Sequence, residues 1–190
     1  MTLDLSTGAI LRQAGYDLRD PHFKDTPDRF AKTILEEYSA NHDEEQAVKE
    51  ILSRDFPEDY SGMVISKYIE FQSLCPHHLL PFFGHAHVGY LPDGEVVGIS
   101  KLARLVDYLA KSISTQERLT AGIVQSINVV LKPRGAIAVL SAIHTCMVAR
   151  GARQASAITV TSDCSGYFSD NKSGCKDEFM QLISKNGGPL

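Results

Sequence analysis

Four consecutive residues, Cys75-Pro76-His77-His78, place one thiol and two imidazoles between two strand-like segments. Further along, His144-Thr145-Cys146 adds another imidazole and another thiol at the end of an apolar run. Thiolate and imidazole suit zinc, and three protein ligands leave a position for water where four would close the site. Cys75, His78 and Cys146 supply three such ligands from two strand ends, which predicts a hydrolytic zinc centre. His77 and His144 then stand beside the metal as groups able to pass protons near neutral pH. Cys-x-x-His alone is common by chance. A second Cys/His cluster gives it weight in a chain with four cysteines and seven histidines. Cys164 and Cys175 lie in a Ser/Gly-rich stretch without a nearby His and read as ordinary thiols. His85 and His87 alternate on one face of a strand and read as structural, and His22 and His42 as surface residues.

A second kind of chemistry is spread more widely. Ser100 reads as the cap of a helix whose first turn carries Lys101 and Arg104, and a helix N-terminus with two cations and a hydroxyl suits a phosphate. Gln116 and Glu117 stand at the opening turn of another helix. Arg29 and Lys32 share a helix face near the start of the chain.

These residues need a scaffold. Residues 4 to 15 read as a short helix closed by Gly15. Thr26-Pro27 reads as a cap and first helical residue of a second helix, with Phe30, Ile34, Leu35 and Tyr38 apolar on one face. A third helix starts at Asp43, where Gln46 completes a capping-box pattern, and buries Ala47, Val48, Ile51 and Leu52. Met63 to Leu74 reads as a strand with Met63, Ile65, Ile69 and Phe71 on one side. Phe82 to Leu91, the turn Pro92-Asp93-Gly94 and Val96 to Ile99 read as a hairpin. A helix from Ser100 buries Leu102, Leu105, Val106 and Leu109. Another from Thr115 buries Leu119, Ile123, Val124, Ile127 and Leu131. Ile137 to Ile143 reads as a central strand, 155 to 162 as a last strand and Lys176 to Lys185 as a last helix.

At 190 residues and 43% hydrophobic the chain supports one main core. A net charge of −4 argues against a broad nucleic-acid surface. No run approaches the roughly 20 apolar residues of a membrane span, and the acidic start lacks the basic end of a secretory signal. A cytoplasmic protein is the expectation.

The chain resembles the GTP cyclohydrolase I family from about Asp25 to Ile183. The resemblance rests on Asp-Thr-Pro-Asp-Arg-Phe-Ala-Lys (25 to 32), Cys-Pro-His-His-Leu-Leu-Pro-Phe (75 to 82), Ala-His-Val-Gly-Tyr (86 to 90), Ser-Lys-Leu-Ala-Arg (100 to 104), Gln-Glu-Arg-Leu-Thr (116 to 120) and His-Thr-Cys-Met-Val-Ala-Arg-Gly (144 to 151). It implies an α+β tunnelling fold: a four-stranded antiparallel sheet with two long helices over residues 61–190, preceded by a helical arm over 1–60. It also implies zinc on Cys75, His78 and Cys146, with His77 and His144 as the acid/base pair. Gln116 and Glu117 would read guanine, and Ser100, Lys101, Arg104 and Arg150 would clamp the triphosphate with Arg29 and Lys32. The implied reaction hydrolyses GTP at purine C8, releases formate and yields 7,8-dihydroneopterin triphosphate, the first step of pteridine and folate synthesis. The implied assembly is a toroidal homodecamer with sites between subunits.

The resemblance departs at three places. The family usually has Glu at the positions of Pro76 and Ser141, and Met at that of Ala149. Two acids are thus gone from around the predicted zinc. Two other readings stand beside the leading one: a divergent paralogue acting on another purine or pterin nucleotide, and a zinc-stabilised nucleotide-binding assembly without turnover.

Overall fold

The computed structural model describes residues 3–39, 44–53, 55–170 and 173–184. The chain divides into two compact units, residues 1–40 and 41–190. The smaller unit pairs α1 (Leu3–Gln13) with α2 (Thr26–Glu37), the latter opening with proline in its first turn. Thr26 does not cap α2 as its type suggested. Its hydroxyl donates to the carbonyl of His22, and Asp25 takes the cap position without a side-chain bond.

The larger unit is built on a four-stranded antiparallel sheet. Its strands are β2 (Val64–Leu74), β3 (Pro81–Leu91), β5 (Gly135–His144) and β6 (Thr159–Cys164), in the order β2-β3-β5-β6. A separate two-stranded pair joins β1 (Asp55–Pro57) to β4 (Glu95–Val97). The helices are α3 (Glu44–Leu52), α4 (Ser100–Ala110), α5 (Gln116–Leu131), the short α6 (Thr145–Val148) and α7 (Cys175–Ser184). This is the mixed α+β architecture with an antiparallel sheet that the sequence implied. The third helix, grouped by its sequence with the arm, packs on α4 and α5. Its expected cap, Asp43, lies outside the described residues, as do His42, Lys185 and the C-terminal tail.

One face of the sheet meets α4 and α5. Leu102, Leu105, Val106 and Leu109 of α4 and Leu119, Ile123, Val124 and Ile127 of α5 pack on Phe71, Phe82, Val88, Ala138 and Leu140. Burial of each large side chain here contributes about 1.5–3 kcal/mol relative to exposure. A smaller core covers part of the opposite face, where Leu91, Ile137 and Val139 meet Phe168 and Phe179.

The β2 strand serves both cores. Its pairing with β3 shifts by one residue between Ser66 and Ile69, and Tyr68 sits at φ +54 within the irregularity. An extra residue in a strand inverts the side-chain alternation beyond it. Met63 and Ile65 therefore pack with Phe179, whereas Ile69 and Phe71 pack under α4. The expected single apolar side does not hold, because alternation read across a bulge assigns half the strand to the wrong face.

Other differences also have physical causes. The predicted hairpin does not form a ladder, since β3 already has β2 and β5 on its two edges. After Gly94, at φ +85, the chain leaves the sheet and β4 pairs with β1. The backbone N–H of Val97 donates to the Tyr90 hydroxyl. Ser100 does not cap α4, because Ile99 before it is already helical and the N–H of Lys101 donates to Gly98. Thr115 does cap α5, accepting from the N–H of Arg118 at 3.3 Å. The last strand starts later than expected because residues 147–157 are taken up in successive turns.

Gly84 of β3 pairs with Ala142 of β5. A Cβ there would stand 1.9 Å from the carbonyl oxygen of Ser141, and backbone cannot step aside as a flexible side chain can. Gly122 of α5 meets nothing nearer than Leu109 at 4.0 Å. Gly84→Ala is expected to destabilise the protein by about 3 kcal/mol or more. Gly122→Ala is expected to stabilise it by about 0.5–1 kcal/mol. Denaturant midpoints of the two variants should move in opposite directions.

Candidate metal and active centre

The antiparallel register fixes which loops meet. Leu74 pairs with Pro81 and Phe82 pairs with His144, so the end of β2, the start of β3 and the end of β5 share one end of the sheet. The loop of residues 75–80 is closed by its own backbone. The N–H of Cys75 donates to Leu80, and those of His78 and Leu79 donate to the carbonyl of Cys75. Leu79 adopts the left-handed conformation, φ +52, which turns the chain back into β3. Pro76 occupies the second position of this turn, where its fixed φ and missing N–H are compatible with the bonding pattern.

On the other side, Thr145 donates its hydroxyl to the carbonyl of Pro81, which ties the start of α6 to the start of β3. Cys75, His78 and Cys146 consequently converge, each offering a ligand atom within 4.8 Å of the others. Tetrahedral zinc with bonds of about 2.0–2.3 Å needs ligand separations of roughly 3.5–3.8 Å. Small side-chain movements bridge that difference, so two sulfurs and one imidazole fit the ion. The electrostatics agree with the donor chemistry. Burial and the adjacent Cys75 thiol push the Cys146 thiol up, against a smaller opposing pull from Arg150. A cation is what would convert such a thiol to a thiolate ligand.

The remaining expected residues fall into three groups. Some stand at this centre. His77 is exposed, with Nδ1 3.4 Å from the Cys75 sulfur. Arg150 donates from Nη1 to Nε2 of His78. The His144 ring stacks on Phe82 with centroids 4.7 Å apart and planes within 1°. Burial lowers the His144 pKa, and the exposed Glu117 carboxylate works in the opposite direction.

Gln116 sits here too, but its side chain is not available to a ligand. It is 1% exposed, and its amide nitrogen lies 3.1 Å from Leu140 O, 3.0 Å from Thr159 O and 3.1 Å from Thr161 Oγ1. Its Oε1 lies 2.8 Å from His144 Nε2. The expected amide contact with guanine is thus occupied by the protein itself, and Glu117 keeps the outward position alone.

Ser100, Lys101 and Arg104 lie elsewhere on the larger unit. The C-terminal side of α4 reaches the metal end, where Ser114 N–H donates to Leu74 O and Ser73 Oγ donates to Ser112 O. The 11 residues of α4 span about 16 Å, so its N-terminus stands toward the opposite end of the sheet. The structure does not bring these three residues to Arg150 within one chain. Arg29 and Lys32 lie on α2 of the smaller unit, exposed, in i,i+4 pairs with Asp25 and Glu36.

His85 and His87 flank Tyr68 at the bulge, with Tyr68 N–H donating to His87 Nδ1 at 3.5 Å. Burial lowers the pKa of His87. Phe82, Thr120 and Thr161 were not singled out from the sequence. Only Thr120 left a signal, four residues after Gln116 on the same helix face.

Comparison with known proteins gives one direction. A family model described as GTP cyclohydrolase I matches residues 5–184. A protein of Chlorobaculum tepidum named GTP cyclohydrolase 1 is 41% identical over 94% of this chain and 78% of its own length. Proteins of the same name from Saccharomyces cerevisiae and Bacteroides thetaiotaomicron are 40% and 42% identical. They cover 93% and 92% of this chain, and 71% and 87% of their own lengths. With its Cys/His cluster and antiparallel α+β fold, the chain belongs to the GTP cyclohydrolase I family.

Proposed function

We propose that the protein is a zinc-dependent GTP cyclohydrolase I that converts GTP to 7,8-dihydroneopterin triphosphate and formate. The observation that carries this reading is the convergence of Cys75, His78 and Cys146 beside His77, His144 and Glu117 in a chain of this family. Cys75, His78 and Cys146 would hold the zinc, which when bound would supply an activated water for hydrolysis at C8 of the purine. His77 and His144 stand beside that position, and one of them delivers a proton to N7 so that the imidazole ring opens. Glu117 accepts from the ring N–H and exocyclic amine of guanine, which orients C8 toward Cys75, His78 and Cys146. Arg150 adds positive charge at the same end for the triphosphate.

Lys101, Arg104 and Ser100, with Arg29 and Lys32, complete the phosphate clamp. Because the first three stand about a helix length from the metal ligands of their own chain, they serve the site of a neighbouring copy. This supports a homo-oligomer with sites between subunits, a decamer in the assembly the resemblance implies. Among the described residues no helix is long and apolar enough to cross a membrane.

Zinc-loaded protein incubated with GTP is expected to release formate and, after oxidation, give pterin fluorescence; neither product at any pH would reject the assignment. His144→Ala should keep its zinc and lose about 10²–10⁴-fold in turnover. Cys146→Ala should lose the metal, and equal zinc content in the two variants would contradict the ligand set. Mixing subunits of inactive Lys101→Ala and His144→Ala after dissociation should restore activity at sites that draw one intact part from each. If the mixture stays as inactive as its components, the clamp is not shared between chains.

A further inference from the structure

We propose that Gln116 is a positioning residue that fixes His144 in its Nε2–H tautomer, leaving Nδ1 as the lone-pair nitrogen of the catalytic ring. The inference rests on the proposed role of His144 at the metal centre, and on a hydrogen-bond chain in which each donor can be assigned. Leu140 O and Thr159 O are carbonyl oxygens that only accept. The Gln116 group 3.1 and 3.0 Å from them is therefore its NH2, and both hydrogens are engaged there, with Thr161 Oγ1 flanking at 3.1 Å. Thr120 donates to the backbone carbonyl of Gln116 at 2.7 Å, so the 2.6 Å contact between Thr120 and Thr161 takes its hydrogen from Thr161. The amide cannot rotate by half a turn without placing its oxygen against two carbonyls.

With the amide so oriented, Oε1 faces His144 Nε2 at 2.8 Å and can only accept. The hydrogen must sit on Nε2, and a neutral imidazole then has its lone pair on Nδ1. The parallel stack on Phe82 holds the ring plane, so the amide and the phenyl ring together define orientation as well as tautomer. Gln116 is 1% exposed, and burial makes an unpaired amide or imidazole N–H costly, which keeps the arrangement in place. Groups that orient a functional histidine in this way commonly matter 10- to 100-fold although they touch no substrate.

The test compares Gln116→Leu with Gln116→Glu in the zinc-loaded protein. Nitrogen-15 spectra of histidine-labelled protein report the tautomer of His144. Wild type should show Nε2–H, Gln116→Leu should lose that preference, and Gln116→Glu, kept a neutral acid by the two carbonyls it faces, donates to one of them while its other oxygen accepts from Nε2 and should retain the preference in part. With GTP, Gln116→Leu should lower kcat about 10- to 100-fold at unchanged KM, with part of kcat recovered in Gln116→Glu. Equilibrium binding of GTP should be the same in His144→Ala and in His144→Ala/Gln116→Leu. A raised KM and weaker GTP binding, with His144 still in the Nε2–H form, would show instead that Gln116 reads the base. An Nδ1–H wild-type ring would overturn the proposal outright. Should Gln116→Leu fail to fold, Gln116→Glu and Thr161→Val, which removes only one anchor of the amide, carry the same spectroscopic comparison. Because the tautomer is read without turnover, a protein inactive on GTP would reject the assigned reaction and still decide the role of Gln116.

Discussion

The pairing of Phe82 with His144 is the constraint on which the centre depends. It aligns β3 with β5 so that the 75–80 loop and the start of α6 leave the sheet side by side. In a strand, a slip of one residue sends every side chain to the other face. Such a slip here would separate Cys146 from Cys75 and lift His144 off Phe82. The register is in turn specified by burial. Phe82, Ala86, Val88 and Tyr90 of β3 and Ala136, Ala138, Leu140 and Ala142 of β5 all face the α4/α5 layer, and each is at most 2% exposed. The hydrophobic layer and the placement of the Cys/His cluster are therefore consequences of one alignment.

The polar network behind the ligands shows how a buried amide is tolerated. Gln116 and Thr120 are each 1% exposed at the opening of α5, yet their polar groups are satisfied by β5, β6 and one another. Among the described residues no buried side-chain nitrogen or oxygen lacks a partner. Satisfied networks of this kind select one arrangement of the elements they join, because every alternative leaves donors unpaired. Here they join α5 to the two strands that frame His144.

Chemistry was more legible in the sequence than geometry. Cys75, His78 and Cys146 could be picked out because thiols and imidazoles are scarce and cluster at strand ends. The helical faces of α4 and α5 followed from apolar spacing, since a 3.6-residue period survives small irregularities. The β2 bulge was not legible: Met63, Ile65, Ile69 and Phe71 keep an even spacing through it, and nothing local marks Tyr68 as left-handed. The destination of β4 was hidden because a Pro-Asp-Gly turn between apolar runs says nothing about which strand edges are already occupied. The inward position of the Gln116 side chain was hidden for a related reason. A polar residue at a helix opening looks outward until the sheet beneath it supplies carbonyls.

Pro76 separates Cys75 from His77 in the sequence. In the folded loop it fills a turn position whose backbone angle a proline ring already satisfies. A loop that gathers a thiol and two imidazoles must otherwise lose conformational freedom on folding, and proline removes part of that freedom from the unfolded chain beforehand. A ring at this position lowers the entropic cost of closing the loop and brings no charge of its own to the thiols and imidazoles beside it.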